Sequence, residues 1–339
     1  MGSGAGTIAS IQILRAIAAI AVVFMHVGID LNHWTGTSIS WSMVGAVGVD
    51  LFFVISGFIM TLISWDMFGQ PRAALEFMSR RLMRILPIYW LLTAIYVLFG
   101  NYDLACIVQS LLFIRGSQLH VVPVGWTLDF EMMFYCVFAI GLMAPRPVGL
   151  AAIAAAMIGL TLSGIRHFGD AIVLEFVFGM AAAVLYVRGV RISRAAGALL
   201  AGIGILTIAL PGVYADHDAV RWGLPVLMIL LGAVLTGPLP DNTLVRGACR
   251  VGDASYVLYL THPPLLWLLG YFAKQSGLNF AGSVLLQTCG YVVATAIVIA
   301  IAIAIHRGVE VPMLRGLRGL LADFAPPGIA RPVKAGAPG

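Results

Sequence analysis

The chain has 339 residues, of which 60% are apolar and only 10% charged, with a formal net charge of +5. A soluble domain carries about 25% charged residues, so this composition excludes a water-soluble enzyme, a secreted disulfide scaffold and a disordered chain. What remains is an all-α polytopic membrane bundle, whose apolar runs approach the length needed to cross ~30 Å of hydrocarbon.

Ten such runs are predicted, over residues 8–27, 43–65, 85–99, 128–143, 149–164, 171–187, 195–211, 221–237, 255–272 and 281–306. Several are near the short end of the spanning range, which suits an upright bundle or broken helices. The first contains Arg15 and is followed by no small-residue cleavage site, so it is expected to stay as a membrane span. Sidedness follows Lys and Arg. With the N-terminus cytoplasmic, Arg115, Arg166, Arg221 and Lys274 fall in outer loops, Arg15 falls in a span, and the rest of the 20 Lys and Arg fall inside. That bias predicts both termini on the cytoplasmic side. It also accounts for the positive charge without a nucleic-acid partner. Cys106, Cys136, Cys249 and Cys289 show no metal-ligand spacing, so ordinary small residues and no metal are expected.

Ionisable residues inside spans are costly and by default mark a pathway or a site. Arg15 lies about 10 Å in from the inner boundary, at 1.5 Å per residue. His26 follows eleven residues later. Eleven steps of about 100° return to within ~20° of the start, so both share one helix face, about 16 Å apart. Asp50, Glu131 and Glu175 each fall within about 5–10 Å of the outer boundary, the depth of His26. A carboxylate beside an imidazole raises its basicity and fixes its tautomer, the pairing that activates a hydroxyl.

On the inner side, Arg80, Arg81 and Arg84 stand immediately before the third run. Such a cluster serves as a topology signal, and its planar forks also suit phosphates. In the ninth run, residues 255–261 lead to His262, about 10 Å deep and level with Arg15. Pro263 and Pro264 are expected to break the helix there, which membranes tolerate only beside a cavity or satisfying neighbours. The inner half is therefore expected to hold a cationic, partly unwound pocket, and the outer half a His and carboxylate pocket. A polar passage lined by the first, second, fourth and ninth runs would join them. The outer stretch 100–127 is the longest polar connection. After the last run, Leu314, Leu317, Leu320, Leu321 and Phe324 recur at helical spacing with Arg315 and Arg318 between them. Residues 1–310 are read as one membrane domain, 311–325 as an amphipathic helix on the inner surface, and 326–339 as a disordered tail.

In five places, taken in order, the chain resembles the acyltransferase family 3 membrane proteins. These are Arg15 and His26 with ten residues between them, GVDLFFVISGF at 48–58, RRLMRILPIYW at 80–90, GWTLDFEMMFY at 125–135 and SYVLYLTHP at 255–263. The forms around Trp126 and Glu131, and around Glu175, are most similar to the branch that acylates exopolysaccharides. The resemblance implies ten core helices and transfer of an acyl group, usually acetyl from cytoplasmic acetyl-CoA, to a carbohydrate hydroxyl at the outer face of a bacterial inner membrane. It implies a catalytic part for His26, with Glu131 expected to orient that histidine or the sugar. It also implies parts for Arg15, Arg81 and Arg84 in handling CoA; beside it, Arg80, Tyr259 and His262 are expected on the donor side, and Asp50, Trp126, Asp129 and Glu175 on the acceptor side. Membrane lipids, a homo-oligomer or polysaccharide-assembly proteins are its expected partners. No hydrolase-like domain of the kind some relatives carry is read here, so the chain is expected to complete the transfer alone or with a separate partner. No Ser or Cys nucleophile motif decides between direct transfer and a relayed acyl-enzyme. A polyprenyl-sugar flippase or solute transporter is the competing reading. It also explains intramembrane charge, but it leaves the inner arginines and the outer histidine as coincidences.

Overall fold

The computed structural model describes residues 9–35, 44–114, 120–165, 167–209, 221–277 and 283–323. Among them every element is helical: α1 (Ala9–Thr35), α2 (Val47–Ile63), α3 (Ala73–Phe99), α4 (Leu104–Leu111), α5 (Trp126–Leu142), α6 (Arg146–Ser163), α7 (Leu174–Val187), α8 (Arg194–Ala209), α9 (Gly223–Val234), α10 (Thr243–Asp253), α11 (Ser255–Gln275), α12 (Val284–Ile305) and α13 (Val311–Asp323). A π-helical turn, His306–Glu310, joins α12 to α13. The expected tail at 326–339 and the outer-loop cations Arg115 and Arg166 lie outside the described residues.

Five stretches are long and apolar enough to cross a membrane: Ala9–Asp30, Ala73–Phe99, Pro123–Leu142, Arg146–Ser163 and Val284–Gly319. Four shorter apolar helices accompany them. Large apolar side chains stand on the outside of the bundle, Leu98 at 78% exposure and Leu162 at 81%. Water disfavours so broad an apolar exterior, whereas hydrocarbon accepts helices whose backbone bonds are satisfied internally.

Each predicted run contains a helix, and the departures from prediction are instructive. α3 begins at Ala73, so Arg80, Arg81 and Arg84 lie on the helix and not ahead of it. Residues 73–84 are mostly good helix formers with no glycine or proline among them. α4 and α10 were not foreseen. Each is a short helix with its own cap: Asp103 accepts the Cys106 N–H at 2.6 Å, and Asn242 accepts the Val245 N–H at 2.9 Å. The outer connection therefore carries a helix of its own.

α11 runs unbroken through Pro263 and Pro264, which corrects the expected break. The two prolines remove the N–H groups that would serve the Tyr259 and Leu260 carbonyls, but their fixed φ is itself helical. The His262 ring turns back onto the same turn, its Nδ1 3.3 Å from the Leu258 carbonyl and its edge toward that of Tyr259.

Small residues set the closest crossing. A Cβ on Gly57 would lie 2.0 Å from the Phe176 carbonyl oxygen, and one on Gly179 2.0 Å from that of Val54. Only glycine lets the α2 and α7 backbones meet this closely. Beside the crossing, the Phe176 ring stacks on Phe53 and on Phe134, at 4.8 and 4.3 Å. α1 packs against α2, α9, α10, α11 and α12, and Phe52 touches all three groups of core residues. α13 folds back against α3, with Met313 on the core.

Candidate active site

Residues of α1, α2, α3, α5 and α11 enclose a cavity whose empty volume is about 870 Å³, counted with its open mouth. Three arginines line it: Arg15 from α1, and Arg81 and Arg84 from α3. The last two are three residues apart, hence on one helix face. Arg15 donates to Ser255 Oγ at 2.8 Å and to Gln12 Oε1 at 3.3 Å. Glu131 supplies the carboxylate. The Tyr135 hydroxyl donates to its Oε1, and Ser56 Oγ donates to the same oxygen at 3.4 Å. Arg81 lines the cavity beside Tyr135. Three fixed cations against one carboxylate leave an excess positive charge in a partly enclosed space, an arrangement suited to a polyanion.

α11 closes one wall of the cavity. The Tyr256 hydroxyl donates to the Ile85 carbonyl at 2.8 Å, tying α11 to α3. The Tyr259 hydroxyl donates to the Val124 carbonyl at 3.2 Å and accepts from Thr127 Oγ1 at 3.0 Å. Arg80 stands outside, exposed and paired with Glu76 one turn earlier.

His26 is not on the cavity lining. Its Nδ1 faces the Val22 carbonyl at 2.9 Å, and its ring meets His262 edge-on, with centroids 4.7 Å apart. Tyr259 stands between. It lines the cavity and lies 5.9 Å from the His262 ring and 6.0 Å from Phe52. Tyr259 and Phe52 line the cavity on the side of the histidine pair, and neither histidine belongs to the lining.

Two depth expectations are corrected. His262 is expected level with Arg15, but it meets His26 edge-on. Arg15 reaches Ser255, and the seven residues from Ser255 to His262 carry α11 about 10 Å further along the direction in which α1 climbs from Arg15. Glu131 was grouped with His26, but it lies in the arginine cavity, because α5 starts at Trp126 and Glu131 is already more than a turn inside it.

The remaining candidates form two further groups. Asp50 and Glu175, both buried, are neighbours where α2 meets α7. Neither residue belongs to the cavity lining. Asp129, also buried, sits 2.8 Å from His120 Nε2 and 3.4 Å from His167 Nε2. It ties the segments on either side of α5 to that helix. Trp126 packs edge-on against Phe130 at 6.1 Å. Sequence reasoning missed Ser56, Tyr135, Ser255 and Tyr256 as lining residues. Tyr135 was findable, one helical turn after Glu131. His120 and His167 carry no local pattern that joins them to Asp129. Among the described residues, no cluster of three His, Cys, Asp or Glu is arranged to hold a metal ion.

The family profile described as an acyltransferase domain matches residues 8–307. The chain is similar to the exopolysaccharide production protein ExoZ of Rhizobium meliloti, 37% identical over 246 residues, which cover 65% of this chain and 76% of that protein. It is also similar to the peptidoglycan O-acetyltransferase OatA of Listeria monocytogenes, 33% identical over 113 residues, 32% of this chain and 16% of that one. The O-acetyltransferase OatA of Staphylococcus aureus is 36% identical over 88 residues, 25% of this chain and 13% of that one. The chain therefore matches only a small part of each OatA protein. No solved structure matches.

Proposed function

Because the chain belongs to the acyltransferase family 3 of membrane proteins, it is an acyltransferase, and we propose that it moves an acyl group, acetyl first among them, from cytoplasmic acyl-CoA to a hydroxyl of an extracytoplasmic or lipid-linked glycan such as exopolysaccharide. The observation that carries the donor assignment is the convergence of Arg15, Arg81 and Arg84 on one cavity. The phosphates of CoA are the polyanion that such forks bind bidentately. ExoZ supports the choice of acceptor, being an exopolysaccharide production protein. The proposal includes ten membrane helices with both termini cytoplasmic, in a bacterial inner membrane, and α13 on its inner surface.

The chemistry assigned to His26 follows from its tautomer. A carbonyl only accepts, so the bond to Val22 puts the ring hydrogen on Nδ1 and leaves the lone pair on Nε2. His26 Nε2 takes the proton of the acceptor hydroxyl as its oxygen attacks the thioester carbonyl. The C–O bond forms, the C–S bond breaks, and CoA leaves as thiolate to be reprotonated. Arg81 and Arg84 hold the phosphate end, and Arg15 stands over the path of the pantetheine arm. Glu131 holds Tyr135 in place beside Arg81.

Acetyl-CoA binding and acetyl transfer to exopolysaccharide, measured on detergent-purified protein, test this reading. Arg81→Lys keeps the charge but loses the fork, so donor affinity should fall about tenfold. His26→Ala should leave donor binding intact and cost about 10²–10⁴ in transfer rate. A wild-type protein that binds no CoA would turn the assignment toward transport.

A further inference from the structure

Two imidazoles, one from α1 and one from α11, are held in the same way. His26 Nδ1 and His262 Nδ1 each face the carbonyl four residues earlier in their own helix, Val22 at 2.9 Å and Leu258 at 3.3 Å. Each ring therefore carries its hydrogen on Nδ1 and a lone pair on Nε2. His262 is fully buried, and no donor among the described residues reaches its Nε2. A buried acceptor without a donor is costly, whereas an apolar ring of similar size would fill the same space without that cost. The neighbour that can supply a hydrogen is His26, whose ring lies 4.7 Å away.

We propose that His262 is the positioning residue of His26: its Nε2 receives the hydrogen bond of the imidazolium that forms when His26 takes the acceptor proton. This rests on the proposed acyl transfer. The step balances. The acceptor O–H bond breaks and an N–H bond forms on His26 Nε2. That hydrogen is shared with the His262 lone pair while the C–O bond forms and the C–S bond breaks. The proton then leaves to the thiolate, and both rings return to neutral.

The surroundings suit such a pair. The titratable groups on packed elements are Tyr259 of α11, 5.9 Å from His262, and Tyr291 of α12, which meets Phe24 on the turn before His26. Both are neutral near pH 7. Arg15, three turns away on the His26 face, is bonded to Ser255, and the charge acting on His262 is that of His26. On α1 itself Asp30 stands four residues after His26, on the same helix face, so the proton of the pair answers to that carboxylate as well as to the two imidazoles.

The test needs neither donor nor acceptor. Only neutral imidazole reacts with diethyl pyrocarbonate, so the rate at which His26 is modified, followed by peptide mass spectrometry across pH, gives its protonation midpoint in the purified protein. His262→Phe keeps a ring and removes the lone pair. The midpoint of His26 should fall by about one pH unit, a tenfold change in proton affinity. His262→Gln returns an acceptor and should recover part of the shift. It also serves if the Phe variant folds poorly. An unchanged midpoint in both variants overturns the proposal. Transfer of acetyl from acetyl-CoA is read separately, and His262→Phe should lower kcat with the KM for acetyl-CoA unchanged. A shifted midpoint in a protein that transfers nothing would leave the pair standing and overturn the functional reading. Normal transfer with an unshifted midpoint would overturn the pair alone.

Discussion

Glu131 has two charged neighbourhoods to choose between, and the choice has a measurable sign. Read by depth in the chain it belongs with His26; in the structure it faces Arg15 and Arg81 and holds Tyr135. A carboxylate among cations lowers the attraction of the site for an anion. Glu131→Gln should therefore raise acetyl-CoA affinity several-fold, by a margin that shrinks as salt screens it, while turnover falls because Tyr135 and Arg81 lose their anchor. Calorimetric titration at two salt concentrations checks both effects, and weakened donor binding would return Glu131 to the outer site. The sequence made Arg15, Arg81, Arg84 and Glu131 legible as candidates, since charge is scarce in this chain. It could not say which of them meet, because one turn of helix, about 5.4 Å, decides whether Glu131 sits with the arginines or with His26. His262 shows the same limit: its type and place in the run were readable, but its partner depended on how α11 lies against α1.

At the level of helices, apolar length and small residues were the readable signals. Gly179 lies against Val54 and Gly57 against Phe176 where α2 crosses α7. Gly57→Val should cost at least about 1–3 kcal/mol, read as a lower melting temperature in detergent, because its Cβ would enter the Phe176 carbonyl and backbone cannot yield as a side chain can. Gly202, where an added Cβ meets nothing within 4 Å, provides the control, and Gly202→Ala should melt like the unaltered protein. α4 and α10 were illegible for the opposite reason. Each is short, and each depends on one capping side chain, Asp103 or Asn242, not on apolar periodicity. The unbroken α11 shows that two adjacent prolines need not end a helix, since their fixed φ is itself helical.

For the whole molecule, composition alone led to the membrane, and five ordered motifs led to the family. Sidedness rests on the distribution of Lys and Arg and can be checked directly. In a variant with Cys106, Cys136, Cys249 and Cys289 replaced, Lys274→Cys should react with an impermeant maleimide from outside intact cells, and Arg315→Cys only after lysis. The reverse pattern would invert the bundle. The wall that Tyr259 and Phe52 place between the arginine cavity and the histidine pair also has an electrical side. A bundle that hands a chemical group from one compartment to another must not conduct ions along the same route, since a standing aqueous path would discharge the potential across its membrane. Two aromatic side chains, one held by Thr127 and Val124, stand where the cavity nears the histidines, so on the proposed function they are placed to part for the donor arm and to seal the route between turnovers.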